Sequence, residues 1–473
     1  MKDDVHDDDK LVRLHTRNRR KPAPGAPIFS NEHGSDGAPP FSDEDLALRF
    51  ANRHADIRYV AEWGKWLSWD GKRWNFDTTL AIFDHARFLC REAAAKCNTK
   101  GKKIIASAKT VAAIVTLARA DRRLAATTEQ WDADPWLLNT PDGVVDLHTG
   151  RIRPAQQRDY MTKVTAVGPH GECTKWKMFL DQIMGGDEAL IAYLQRVFGY
   201  CLTGDTSEQA IFFNHGAGAN GKTVTMKTVS GIFGDYCQAT PIESFTESKA
   251  DRHPTELARM RGARLVTATE TEAGRHWAES RLKELTGGER IPARFMHKDF
   301  FEYLPAFKPF ISGNHKPRLR SVGPAMRRRV NMIPFSVIIP DDERDPRLAD
   351  KLKAEWSGIL QWMIEGCLQW QSEGLKPPKA VVDATDAYFA GEDGYADWIA
   401  DRCEPIAGFW AKSSELFASW KDWAEKAGQP HGDSKRFREE MERLGYSHKH
   451  NKSGNFYVGL RIRTAVQAGW EPF

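Results

Sequence analysis

Residues Gly216-Ala217-Gly218-Ala219-Asn220-Gly221-Lys222-Thr223 carry the spacing G-x-x-x-x-G-K-[ST]. In that pattern the glycines let backbone N–H groups point at phosphate oxygens, and a helix starting at the lysine adds its positive N-terminal dipole. Lys222 is expected to reach the β- and γ-phosphates and Thr223 to hold Mg²⁺, with Val224 ending the segment. ATP and Mg²⁺ are the expected cofactors. The four fixed positions arise by chance in roughly one or two chains in a hundred of this length. A purely structural glycine turn is the competing reading.

Hydrolysis also needs an acid at the end of a neighbouring strand, holding the metal and polarising the attacking water. The segment "RLVTATETE" offers Glu270 and Glu272 after an apolar run. Residues two apart on extended chain face the same way. Glu270, nearer the strand, is the first candidate for catalysis and for the metal; a solvated loop acid competes for Glu272. A third strand, "FKPFISGN", ends in Asn314, whose amide can orient water beside the γ-phosphate. The alternative is an ordinary turn asparagine. In "PAMRRRVNMIPF" three arginines precede a strand. In a ring ATPase, an arginine from the adjacent subunit stabilises transition-state charge. A basic surface edge competes, and three adjacent arginines cannot all face one site.

The surrounding elements have to hold these groups together. "AIFFN" reads as a strand running into the loop and 222–232 as the helix leaving it. "ARLVTATE", "FKPFISGN" and "RVNMIPF" read as further buried strands, and 346–370 as helix. Upstream, "WGKWLSWDGKRWNF" alternates aromatics about Asp70-Gly71 as a hairpin; its tryptophans can stack on bases or fill a small core. "LLNTPDGVVDLHTGRI" reads as a second hairpin on Asp142-Gly143, and 174–203 as helical.

After a Pro377-Pro378 break helix resumes, and the end of the chain reads as helix, helix and basic hairpin. That outline is winged-helix-like, with Lys435, Arg436 and Arg438 on the second helix as DNA contacts. The acids of "EEMER" on the same helix oppose phosphate binding on one of its faces.

Bulk properties set limits. The chain has 473 residues, a net charge of +4 and 41% hydrophobic content, which suit several ordinary globular domains. No apolar run approaches the roughly 20 residues of a membrane span, and no signal-peptide pattern opens the chain. The seven cysteines form no C-x-x-C pair, so reduced buried thiols are expected. Residues 1–40, with "KDDVHDDDK" and "RLHTRNRRK", read as a disordered tail.

The order of loop, acidic strand, basic hairpin, Asn-ending strand and arginine cluster resembles superfamily 3 helicases, a branch of the AAA+ ATPases. "LKELTGGERIPARFMHKDFFEYLPAFKPFISGNHKPRLR" is most similar to the helicase part of phage, plasmid and poxvirus-type primase-helicases. The resemblance implies a multidomain α/β chain: an N-terminal α+β domain (41–130), a helical-hairpin domain (131–204), a P-loop ATPase core (205–345), a helical lid or linker (346–408) and a winged-helix-like domain (409–473). It implies Walker A at Gly216, Gly221, Lys222 and Thr223, and Walker B at Glu270 with Glu272. Asn314 becomes the sensor, and Arg328 or Arg329 the arginine finger. Many relatives have adjacent Walker B acids; here Thr271 separates them, leaving their division of labour open. The family places a DNA-contacting hairpin where "IPARFMHKDFFEY" stands, which nominates Arg294, His297 and Lys298.

A homo-hexameric ring tracking 3′ to 5′ on single-stranded or forked DNA is implied, in a bacterial host cytoplasm, with a separate primase or polymerase as partner. The space before residue 130 is small for a primer-synthesising domain. An origin-binding or loader ATPase that never unwinds is the alternative, and a duplex-packaging motor a weaker one.

Overall fold

The computed structural model describes residues 37–247, 255–269, 274–296, 298–319, 322–427 and 431–463. The expected tail up to residue 36 and the candidates Glu270, Glu272 and His297 lie outside the described residues. Contacts divide the chain into two units. One comprises 37–55 and 80–124; the other comprises 56–79 and 125 onward.

The first unit is helical. Ser42 starts the helix Asp43–Arg53 by accepting from the Asp45 amide at 3.2 Å, satisfying one of the orphan donors of the first turn. Its buried face, Leu46, Ala47, Phe50 and Ala51, follows the helical repeat and packs on the helix Ala108–Ala118. Ala81–Ala95 closes the group with Ile82, Ala86 and Leu89 inward.

The second unit is built on a parallel sheet of five strands, ordered Val330–Pro334, Ile211–His215, Lys308–Gly313, Leu265–Thr269, Cys237–Ala239. The first four match the apolar runs read from the sequence. The fifth, "CQA", is a three-residue edge strand, too short to carry a hydrophobic pattern. Both faces are covered, which is why these strands are continuous apolar runs rather than alternating ones. On one face lie the helices Thr174–Met184, Glu188–Leu202, Lys222–Phe233 and Trp356–Glu373 in one cluster with Phe212 and Phe310. On the other, Phe213, Val266 and Ile311 join Trp277, Leu282 and Phe389.

Two smaller sheets precede this core. Lys65–Trp69 pairs with Trp74–Phe76 across the expected Asp70-Gly71 turn. Trp66, Trp74 and Trp131 are buried, so these tryptophans fill a core rather than offering free stacking faces. The second hairpin, Leu137–Thr140 with Gly143–Asp146, turns on Pro141-Asp142 and adds a third strand, Arg151–Arg153. Gly143 begins its strand because a Cβ there would lie 2.4 Å from the Arg153 carbonyl.

Beyond the core come helix Gly394–Arg402, strand Cys403–Lys412, helices Ser413–Lys426 and Ser434–Arg443, and the hairpin His448–Asn451 with Gly454–Ile462. Their common core runs from Tyr395 and Trp398 to Tyr457 and Leu460. The module therefore draws in a helix and strand ahead of the two helices and hairpin visible in the sequence.

Arg264 and Lys308 are buried cations at the N-terminal end of the parallel strands. Arg264 donates to the carbonyls of Leu202 and Leu137, both at 2.6 Å, and lies over the Tyr236 ring. Lys308 donates to the Thr203 carbonyl at 2.6 Å and the Asp205 carbonyl at 3.0 Å. Burial pushes the Lys308 ammonium down to about 7. A lysine depressed on folding binds fewer protons than the unfolded chain between pH 7 and its usual value near 10.5, so its contribution raises stability with increasing pH across that window. Below pH 7 both states are charged and the slope ends. Lys308→Met should flatten the rise of Tm between pH 7 and 8.5 relative to wild type, measured by thermal melts. Parallel curves for the two proteins would refute it.

Candidate nucleotide and nucleic-acid sites

The loop strand Ile211–His215 delivers the chain into Gly216, and the helix Lys222–Phe233 starts at the motif lysine. Two glycines are required by close approach. A Cβ on Gly216 would meet the Phe335 carbonyl at 2.1 Å, and one on Gly221, at φ +82°, would meet Ile183 at 2.6 Å. Ala217, Gly218, Ala219 and Thr223 are exposed around the turn, Val224 is half-buried, and Asn220 and Lys222 are buried.

The Lys222 ammonium donates to the Gly216 carbonyl at 2.6 Å, the Ala217 carbonyl at 3.0 Å and Asn220 Oδ1 at 3.2 Å. Burial lowers its pKa. No carboxylate is among these partners, so an anion of phosphate type would compete only with neutral oxygens. The cradle, the lysine and the helix N-terminus together fit a nucleoside triphosphate. Thr223 is exposed in the first turn of that helix. Among the described residues no cluster of His, Cys, Asp and Glu forms a metal site on its own.

One contributor was not legible in the sequence. The loop is tied to the segment after strand Val330–Pro334: Phe335 N donates to the His215 carbonyl at 2.8 Å, Asn220 Nδ2 to the Phe335 carbonyl at 2.9 Å, and Ile339 N to the Ala219 carbonyl at 2.9 Å. Most of these bonds use backbone groups, which no residue type announces. Beside the loop, His215 Nε2 is buried without a hydrogen-bond partner, and burial with Lys316 and Lys222 nearby holds the ring at about 4, hence neutral.

The strand Lys308–Gly313 lies between the loop strand and Leu265–Thr269, with Gly313 opposite His215 and Ser312 opposite both Asn214 and Thr269. Asn214 Nδ2 donates to Ser312 Oγ at 3.3 Å across the pair. Asn314, exposed, thus leaves its strand at the level where the loop begins. Thr269 is the last described residue before Glu270.

The arginines sit at the other end of the sheet. Ile211 N donates to the Arg329 carbonyl at 2.7 Å, which puts the cluster at the start of the loop strand. A five-residue strand spans about 17 Å, so neither arginine reaches the loop of its own chain. Their side chains also part. Arg329 is buried, donating from Nε to Thr286 Oγ1 at 3.1 Å and from Nη1 to the Ala325 carbonyl at 2.7 Å. Arg328 is exposed and donates to Gln209 Oε1 at 3.0 Å.

The segment Ile291–Ala293 pairs antiparallel with Phe301–Tyr303, a hairpin between the acid strand and Lys308–Gly313 in chain order. Its root is anchored by buried Ile291, Ala293 and Tyr303, and Tyr303 Oη donates to the Leu257 carbonyl at 2.7 Å. Lys298 is exposed towards the tip; Arg294 is half-buried, its guanidinium over the Phe300 ring at 4.6 Å. In the C-terminal module Lys435 and Arg438 are exposed and Arg436 half-buried. Of the three acids that opposed phosphate binding, Glu442 pairs with Arg438 at 2.9 Å and buried Glu440 with Arg443 at 2.6 Å, while Glu439 is exposed.

Residues 47–185 match the family described as D5 N terminal like, and residues 214–329 match a family of unknown function, DUF5906. The chain is 28% identical over 295 residues to putative helicase L207/L206 of Acanthamoeba polyphaga mimivirus, covering 57% of this chain and 31% of that protein. The chain is superfamily 3 helicase-like.

A second relative of this helicase-like chain, putative helicase 022R of Frog virus 3, is 25% identical over 289 residues, covering 56% of this chain and 29% of the relative. The chain thus spans about a third of the length of these relatives. The apo structure of the NrS-1 C terminal region aligns with a TM-score of 0.48 at 10% identity, covering 88% of this chain and 98% of that one. Among the described residues no helix is long and apolar enough to cross a membrane.

Proposed function

We propose that the chain is an ATP-dependent DNA helicase with an AAA+ core, working as a hexameric ring on single-stranded or forked DNA of a phage, plasmid or other mobile element. The observation that carries this reading is the strand order. The Asn314 strand lies between the phosphate-loop strand and the strand that runs to Glu270, the arrangement that lets an amide and an acid address one γ-phosphate.

Lys222 would leave its three neutral oxygens for the β- and γ-phosphates, Thr223 and Glu270 would hold Mg²⁺, and Asn314 would orient water. The bound nucleotide supplies the free energy. Arg328, exposed and remote from its own loop, is the finger offered to a neighbouring subunit. Arg294, His297 and Lys298 would grip DNA phosphates from the hairpin, and Lys435, Arg436 and Arg438 from the winged-helix-like module. Such contacts carry no sequence information. The mobile-element and bacterial-cytoplasm assignments, and a separate primase or polymerase partner, rest on the family resemblance.

The test is strand displacement on a forked duplex with ATP and Mg²⁺. Wild type should separate the strands, and Lys298→Ala should keep ATP turnover within about threefold while losing most unwinding, because the hairpin tip that would pull the strand loses its lysine while the loop is untouched. Turnover without any strand separation by wild type would favour the loader alternative.

A further inference from the structure

A cavity lies at the opposite end of the sheet from the phosphate loop. Its walls include Gly204 and Thr206 ahead of strand Ile211–His215, Tyr236 ahead of Cys237–Ala239, Gly262 and Arg264 ahead of Leu265–Thr269, and Pro305 and Ala306 ahead of Lys308–Gly313. Because these strands are parallel, all four segments mark their N-terminal ends, whereas the loop follows a C-terminal end. The cavity, about 500 Å³, is therefore separate from the nucleotide site and falls within the roughly 300–1,000 Å³ of small-ligand sites.

Its remaining wall is the hairpin. Phe300, Phe301 and Tyr303 line it together with Arg290, facing Trp131 and Arg261. Arg261 lies over the rings of Phe301 at 5.3 Å and Trp63 at 5.5 Å. Phe300 is 60% exposed. Four carboxylates also line the space, but three are engaged, Glu129 by accepting from Thr128 Oγ1 at 2.9 Å. Asp132 accepts from Thr162 N at 2.8 Å and from the Thr162 hydroxyl, and Glu62 accepts from Thr128 Oγ1 at 2.9 Å. Arg264 is spent on backbone carbonyls, as described above. What remains is the exposed Phe300 ring, bordered by Arg290 and Arg261, with Glu302 as acceptor. That set matches an unpaired nucleotide: a ring for the base, guanidinium groups for the flanking phosphates, a carboxylate for a base N–H such as thymine N3–H.

We infer that this cavity receives one unstacked base of the strand held by the hairpin. The inference rests on the nucleic-acid reading above and deepens it, since phosphate contacts at the tip would grip any backbone whereas this site requires a base.

The experiment compares binding of a fluorescent oligo(dT) with that of an abasic oligonucleotide of equal length and charge, for wild type, Phe300→Ala and Arg290→Ala. Stacking of one base predicts that wild type holds oligo(dT) roughly 5- to 100-fold more tightly than the abasic strand. Phe300→Ala should erase that ratio with an unchanged Tm, because the ring is exposed. Arg290→Ala should weaken both ligands and reduce the salt dependence of binding. Equal wild-type affinity for both strands, or an undiminished ratio in Phe300→Ala, overturns the base site and leaves the helicase reading standing. Failure of wild type to bind either strand overturns both.

Discussion

Lys222→Ala should lower ATP turnover on the order of 10²–10³-fold or more, the loss seen when a preorganised charge-stabilising donor is removed from an active site. The ammonium is the only charged donor the loop holds among the described residues. Its present partners, the Gly216 and Ala217 carbonyls and Asn220 Oδ1, are neutral oxygens that can be exchanged for phosphate at little cost. Burial already lowers its proton affinity, and a phosphate would restore it. Phosphate release at saturating ATP and Mg²⁺ is the measurement, with thermal melts to establish that the variant is folded. Turnover within threefold of wild type would remove the basis for treating the loop as the catalytic cradle.

Arg328→Ala should be comparably severe, about 10³- to 10⁵-fold by analogy with arginine fingers in other phosphoryl-transfer enzymes, and its defect should act in trans. The parallel strands put Arg328 at the far end of the sheet from its own loop, and it is exposed there. Mixing Arg328→Ala subunits with Lys222→Ala subunits should therefore restore part of the activity, because some interfaces then pair an intact lysine from one chain with an intact arginine from the other. No recovery on mixing would rule out a finger in trans.

Arg329→Ala is expected to behave differently. It leaves the Thr286 hydroxyl and Ala325 carbonyl without their donor, costing about 1–3 kcal/mol and lowering Tm whether or not subunits are mixed. The contrast between adjacent arginines separates a catalytic role from a structural one.

The chemistry-bearing residues were legible wherever a residue type is demanded by what it must do. Gly216 and Gly221 could be read because only glycine survives the approach of Phe335 and Ile183, and Lys222 because of its fixed distance from them. The central strands could be read because both faces are covered and the runs are apolar throughout. The edge strand Cys237–Ala239 could not: three residues carry no period. The helix and strand that complete the C-terminal module were also obscured, because Tyr395 and Trp398 look like a continuation of the preceding helical stretch until their packing on Trp420 and Phe437 is seen.

The sequence by itself determined which groups the loop, the hairpin and the strand ends carry, since local spacing and hydrophobic pattern act over a few residues. Only the tertiary structure decided the order of the strands, which brings Asn314 beside the loop, sends the arginines to the far end and turns Arg329 inward while leaving Arg328 in solvent. It also decided that residues far apart in the chain, from Trp131 to Tyr303, enclose one cavity. Those outcomes depend on which strand pairs with which, and pairing is settled by packing both faces of a sheet at once, a condition that no short window of sequence contains.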